Sequence, residues 1–175
     1  MEDNPVSLPE MLVAREQRAV FRYAYFSRIN DSSSLLQITV NIPGSVKNSD
    51  MIRDIYREAI RAVCQLFPEA QLLPESSDIR KTGPEGYLSL FLWGEDIKRK
   101  TSLLEDSHIL GRLWDIDVFT DPNHSLSRSE IGMTGRSCYL CERPAHECSR
   151  SKRHSLKEIQ EYINNIYRQF SVGNP

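Results

Sequence analysis

Apolar residues recur at helical spacing in several runs along the chain, with strand-like runs between them. Over residues 8–28, Leu12, Val13, Ala19, Val20, Tyr23 and Ala24 fall mostly on one side at helical spacing, which predicts a helix. Ser7 is placed to cap it, and Pro9 lies early enough to be tolerated in a first turn. Arg15, Arg18 and Arg22 form an i, i+3, i+7 row beside that face, read as an exposed basic stripe partly paired with Glu16. Leu35–Ile42, rich in β-branched residues, reads as a strand stopped by Pro43-Gly44. Ser49 then caps a helix over 50–67, with Met51, Ile55, Ile60, Val63, Leu66 and Phe67 at helical period. Cys64 lies on that apolar side and reads as a small core residue.

Residues 68–86 are loop-like, with Pro68, Pro74, Gly83, Pro84 and Gly86. Tyr87–Trp93 is apolar almost throughout and reads as an interior strand. A polar helix over 95–108 and a third strand over Arg112–Thr120 follow. Residues 121–137 are turn-rich, with a short strand expected at Ile131-Gly132-Met133. Ser155 caps a last helix, 156–170, with Leu156, Ile159, Tyr162, Ile163, Ile166 and Phe170 on one face. This order predicts an α+β fold, a small mixed or antiparallel sheet with helices packed mainly on one face. The expected organisation is a single domain over 1–175: a body over 8–127, a basic cysteine-containing loop over 128–154 and a C-terminal helix over 155–171.

Composition narrows the function classes. The 175 residues carry 22 basic and 24 acidic side chains, a balance that argues against a general nucleic-acid or membrane-surface binder. No stretch approaches the ~20 apolar residues of a membrane span. The acidic, polar start Met1–Pro5 is unlike a secretory signal, so a cytoplasmic location is expected, with cysteines as thiols or metal ligands. The charge is unevenly spread. Residues 1–127 hold 14 basic and 19 acidic groups, whereas 128–153 hold six basic and three acidic, together with three of the four cysteines. A basic tract on an acidic body suggests a place for a phosphorylated ligand, or else a solvated mobile loop.

Three constellations bear chemistry. In Gly111-Arg112-Leu113-Trp114-Asp115-Ile116-Asp117-Val118, strand alternation buries Trp114, Ile116 and Val118 and sends Asp115 and Asp117 together to the other face. On a central strand such a pair repels itself unless a cation intervenes, and Mg²⁺ suits it because that ion binds through one or two carboxylates plus phosphate oxygens. The alternative is a solvent-facing pair matched with Arg112 or helix arginines. In Cys138-x2-Cys141-x4-His146-x-Cys148-x5-His154, three cysteines and either histidine supply four zinc ligands, with free thiols or direct substrate contact as the other readings. Arg150, Lys152, Arg153 and His154 precede the Ser155 cap, a clamp for a triphosphate or pyrophosphate if not a mobile basic loop. The chain has no G-x-S-x-G elbow, P-loop, H-E-x-x-H or dinucleotide fingerprint, which removes most common hydrolase, kinase and dehydrogenase readings.

These segments also carry a resemblance. The run Gly111–Val118 and the tract Cys138–His154 closely resemble the apo-citrate lyase phosphoribosyl-dephospho-CoA transferases, or holo-citrate lyase synthases. Leu12–Ala19, Asn41–Lys47 and Thr82–Tyr87 resemble the same family, so the likeness spans about residues 8–170. It implies a bacterial enzyme with a nucleotidyltransferase-like active-site strand. Such an enzyme transfers 2′-(5″-phosphoribosyl)-3′-dephospho-CoA from its triphosphate precursor to a serine of the citrate lyase acyl-carrier (γ) subunit, releasing pyrophosphate.

On that resemblance, and by analogy with the malonate decarboxylase carrier synthases, Asp115 and Asp117 bind a metal–triphosphate, with one assisting deprotonation of the serine. Arg112, Lys47, Arg150, Lys152 and Arg153 are expected to bind phosphates, and Arg15 and Arg18 either phosphate or the acidic carrier surface. His108 and His154 are candidate proton-transfer groups. Two other readings are a transferase acting on another carrier, such as that of malonate decarboxylase, and a non-catalytic zinc-stabilised protein-binding module.

Overall fold

A computed structural model describes residues 5–29 and 33–173. The sequence Asp31-Ser32-Ser33-Ser34 reads as a turn cluster; Asp31 and Ser32 lie outside the described residues, and Ser34 already belongs to the first strand. Helix α1 spans Leu8–Arg28, and its start is a reciprocal capping box: Ser7 Oγ accepts from the Glu10 amide while the Glu10 carboxylate accepts from the Ser7 amide. Strand β1 (Ser34–Val40) leads to α2 (Asp50–Leu66), capped by Ser49 as its sequence implies. Then come β2 (Gln71–Leu72), β3 (Glu85–Leu90), α3 (Gly94–Ser107), a 3-10 turn (Gly111–Leu113), β4 (Trp114–Phe119), α4 (Ala145–Ser151) and α5 (Leu156–Gly173).

The four strands form one antiparallel sheet in the order β2-β3-β1-β4. One face carries Leu36, Ile38, Leu88, Leu90, Trp114, Ile116 and Val118 into the main core. There they meet Ile52, Ile55, Ala59 and Val63 of α2, Ile97 of α3, and Ile163 and Ile166 of α5. Each fully buried side chain of this size contributes roughly 1.5–3 kcal/mol. Gly86 sets how closely α2 approaches: a Cβ there would lie 2.5 Å from Ile60 Cδ1 and 2.9 Å from the Tyr56 hydroxyl. Trp114 Nε1 donates to the Ile55 carbonyl at 3.0 Å, so the largest core side chain is buried without an orphaned polar atom.

The sheet is antiparallel throughout, one of the two forms expected, and α2, α3 and α5 share one face as expected, while α1 covers the opposite face with Phe21 and Tyr25 against Leu35, Tyr87 and Phe119. Other expectations are corrected. The side of α1 that turns inward is not the one formed by Leu12, Val13, Val20 and Tyr23, which are exposed. It is the side of Ala14, Arg18, Phe21, Arg22 and Tyr25. Its arginines find polar partners on that sheet face, so an apolar count misses the stripe. The supposed loop 68–86 contains β2 and the start of β3. Residues 131–133 form a turn rather than a strand, and the cysteine-containing loop holds the unforeseen helix α4. Arg112 sits in the 3-10 turn that precedes β4, not in the strand.

Candidate active site

Alternation along β4 places Asp115 and Asp117 on the α1 side of the sheet, opposite the buried Trp114, Ile116 and Val118. β4 is an edge strand, not the central one expected. Its outer edge is nonetheless closed by α3. The Ile116 amide donates to Glu105 Oε1 at 3.1 Å, and Lys98 Nζ donates to the Ile116 carbonyl at 2.9 Å. Side chains thus take the place of a missing strand, satisfying groups that would otherwise invite pairing with another chain.

The register fixes which groups share the face with the aspartates. Thr39 of β1 stands between Asp115 and Glu85, and Gln37 between Asp117 and Tyr87. From α1, Arg18 reaches Glu85 at 2.6 Å, and Arg22 donates to Gln37 Oε1 at 2.9 Å while lying over the Phe119 ring. Arg80 also approaches Glu85, at 3.5 Å.

The two aspartates differ. Asp115 keeps 43 % of its side chain exposed and meets Arg136 at 3.3 Å. Asp117 is more deeply placed and accepts from Ser125 Oγ at 2.9 Å. Burial, reinforced by the neighbouring Asp115 charge, pushes the Asp117 carboxyl above its usual range. Beneath them Glu105 is fully buried, bonded to Arg136 at 2.5 Å and Arg128 at 2.9 Å, and its carboxyl too is raised by burial. Burial holds Lys98 below the usual lysine range.

The other expected site residues are dispersed. Arg15 is exposed on α1, whereas Arg18 faces the sheet. Lys47 donates to its own loop, at the Ile42 carbonyl, 2.7 Å away. Arg112 donates to the Ser137 carbonyl and lies over the Tyr139 ring, 5.5 Å from its centroid, so it holds the 137–139 segment. Arg150, Lys152 and Arg153 are exposed around the end of α4.

His108 lies on the core side, stacked on Trp114 at 4.4 Å. Its Nδ1 accepts from the Leu110 amide and its Nε2 meets Glu58 at 3.1 Å. It thus sits against Trp114, whose side chain points to the face of the sheet opposite Asp115 and Asp117.

A cavity of about 470 Å³ opens beside the cysteine tract, with Asn41, Pro43, Tyr139, Lys152, His154 and Leu156 among its walls. Asn41 donates to the Leu113 carbonyl and accepts from the Tyr139 hydroxyl, tying this cavity to the start of β4. At its edge Cys138, Cys141, Cys148 and His154 converge, with their ligand atoms all within 4.8 Å of one another. His154 therefore joins the thiols, and His146 is exposed outside the cluster.

Glu85, Arg22, Arg136, Glu105 and Lys98 were not anticipated as parts of this neighbourhood. A signal for Glu85 exists: Glu85, Tyr87 and Ser89 continue the polar alternation of a strand two residues earlier than the apolar run suggests. For the rest, only tertiary contacts bring them together.

Among the described residues no helix is long and apolar enough to cross a membrane. Residues 6–170 match the family described as apo-citrate lyase phosphoribosyl-dephospho-CoA transferase. A protein of that name from Citrobacter koseri is 36 % identical over 156 residues, covering 88 % of this chain and 84 % of the relative. Relatives of the same name from Escherichia coli O139:H28 and O1:K1 are 38 % identical over the same extent. The chain belongs to the apo-citrate lyase phosphoribosyl-dephospho-CoA transferase family.

Proposed function

We propose that this protein attaches the phosphoribosyl-dephospho-CoA group to the acyl-carrier (γ) subunit of apo-citrate lyase. The donor is 2′-(5″-triphosphoribosyl)-3′-dephospho-CoA. In the reaction a serine oxygen of the carrier forms a bond to the α-phosphorus of the donor. The α–β phosphoanhydride bond breaks, pyrophosphate leaves with the bonding pair, and the serine proton passes to a base. The observation that carries the reading is the aspartate face of β4 in a chain of this family: a deeply placed and a half-exposed carboxylate on one strand face, with Arg136 beside them.

The donor set fits Mg²⁺. Asp115 and Asp117 are hard oxygen donors on the same face, and the unfavourable environment of ionised Asp117 is one that a divalent cation relieves. Asp115 and Asp117 would hold the ion together with phosphate oxygens, and when bound it neutralises charge on the α-phosphate and the leaving pyrophosphate. Asp115, the more exposed of the two, is the carboxylate an incoming hydroxyl can reach, and we assign it the proton. Arg18 and Arg22 line the floor, Arg15 faces the acidic carrier, and Arg112 positions the 137–139 segment. Lys152, which lines the cavity, and the exposed Arg150 and Arg153 next to it in the chain bind phosphates of the donor, and Lys47 supports its own loop. A cytoplasmic location suits thiols that stand unbridged.

The test is a mass measurement. Incubation with apo-γ subunit, the triphosphoribosyl precursor and Mg²⁺ is expected to add the prosthetic group to the carrier serine. A parallel reaction offers the apo-carrier of malonate decarboxylase instead. Modification of that carrier alone would redirect the assignment, and modification of neither would refute it.

A further inference from the structure

We propose that Cys138, Cys141, Cys148 and His154 form a closed tetrahedral site for one Zn²⁺, and that this ion fixes the segment from which Arg136 reaches Asp115. Ligands held ~2.0–2.3 Å from a tetrahedral centre stand roughly 3.5–3.8 Å apart. The Cys141 and Cys148 sulfurs are 3.5 Å apart, and His154 Nε2 is 3.4 Å from Cys141 Sγ. All four ligand atoms fall within 4.8 Å of one another. Three soft thiolates with an imidazole select Zn²⁺ over Mg²⁺ or Ca²⁺, and four protein ligands leave no open position for substrate.

The local backbone serves this closure. Cys138 and Cys141 sit three residues apart on one bend of the chain. Its base is a hairpin: Ser137 pairs with Pro144, and the Cys138 amide donates to the Arg143 carbonyl at 2.7 Å. Helix α4 then brings in Cys148. It ends at Lys152, whose left-handed backbone (φ 48°) is costly for a residue with a Cβ. That reversal returns the chain so that His154, two residues on, meets Cys141. Four ligands from a turn, a short helix and a helix entrance thus converge. Apart from Cys148, this stretch contributes little to the buried core, the situation in which metal binding supplies folding free energy.

The consequence reaches the aspartates through the backbone. The Arg136 carbonyl accepts from the Ala145 amide at 2.9 Å, so the base of the zinc hairpin holds Arg136 while its guanidinium spans Glu105 and Asp115. This second part rests on the transferase reading; the zinc site itself does not.

Protein purified under reducing conditions without added metal is expected to contain about one equivalent of zinc by mass spectrometry. Cobalt substituted for it should show tetrahedral thiolate-type absorption. Cys141→Ser and His154→Ala should lose the metal, and His146→Ala should keep it. Should the first two variants fail to fold, the wild type decides the matter: a mercurial reagent should release zinc in step with titration of the three clustered thiols. Absence of zinc together with failure of the reduced chain to take up Zn²⁺ or Co²⁺ overturns the site. So does a Cys141–Cys148 disulfide in freshly isolated protein, or a wild-type cobalt spectrum in His154→Ala. Stripping zinc should lower transfer in the presence of Mg²⁺, while Asp115→Asn should keep its zinc. If the wild type never modifies a carrier, the metal measurements still stand or fall alone.

Discussion

Glu105 accepts the amide hydrogen of Ile116 at 3.1 Å, placing a carboxylate from α3 where the edge strand β4 would otherwise seek another strand. The same carboxylate pairs with Arg128 and Arg136, so one fully buried charge serves the sheet edge and the group facing Asp115. Glu105→Ala leaves that amide without its acceptor and takes the buried carboxylate from Arg128 and Arg136, which keep as carboxylate partners only the more exposed Asp106 and Asp115. The expected loss is about 3–5 kcal/mol, the usual consequence of breaking a buried pair from one side. Urea denaturation measures it, and a loss below about 1 kcal/mol would mean that water replaces the carboxylate without difficulty.

Asp117 separates stability from activity. Its carboxyl is raised by burial and by Asp115, so the folded state binds its proton more tightly than the unfolded chain does. Its contribution therefore disfavours folding as pH rises above the ordinary aspartate range, and the full penalty is present above the raised folded value. Asp117→Asn should remove this dependence, leaving a protein at neutral pH at least as stable as the wild type. Its transfer rate should fall on the order of 10²-fold or more, by loss of charge stabilisation. Mg²⁺ should raise the melting temperature of the wild type but not of Asp117→Asn. Equal shifts in both would remove Asp117 from the metal site.

His108 has the opposite sign. Burial lowers its affinity for a proton, despite Glu58 nearby, so protonation favours the unfolded chain. Its contribution to stability is fully present above the unfolded histidine value, near 6.5, and is lost as pH falls below it towards the depressed folded value. The difference in stability between wild type and His108→Gln should shrink on acidification through this window. The transfer rate per folded molecule should stay within about twofold, since a general acid–base group would typically contribute 10²–10⁴-fold. A loss in that larger range would restore His108 to the mechanism.

Arg15 and Arg18 lie on one helix but make different contacts. Arg18 is the closer of two arginines paired with Glu85, whose side chain is only 4 % exposed. Arg18→Ala is expected to cost about 1–3 kcal/mol, moderated by Arg80, whereas Arg15→Ala should alter stability by less than about 0.5 kcal/mol. Under the proposed carrier contact, Arg15→Ala should instead raise the KM for the apo-carrier with kcat unchanged. Unchanged KM would withdraw that role.

Periodicity located α2 and α5 because apolar residues facing the core recur at helical spacing, even though Arg53 and Glu58 are also buried on α2, and Ser7, Ser49 and Ser155 marked helix starts through chemistry local to a few residues. Alternation placed Asp115 and Asp117 on a common face before any partner was known. It failed for α1, where the inward side is built around Arg18 and Arg22 rather than an apolar stripe. It also gave no sign of α4, a short helix carrying a thiol and few apolar residues.

Local information therefore determined most of the elements, though not β2 or α4, together with the α+β class, the aspartate pair and the cysteine spacing, since each depends on side-chain pattern within a few turns or pleats. Only the tertiary structure decided that β4 is an edge sealed by Glu105 and Lys98, that Arg136 faces Asp115, and that His154 rather than His146 joins the thiols. Those choices join groups far apart in the chain, or depend on the direction in which a backbone reversal such as that at Lys152 sends the next residues. They are settled by the packing of whole elements, which no single window of sequence contains.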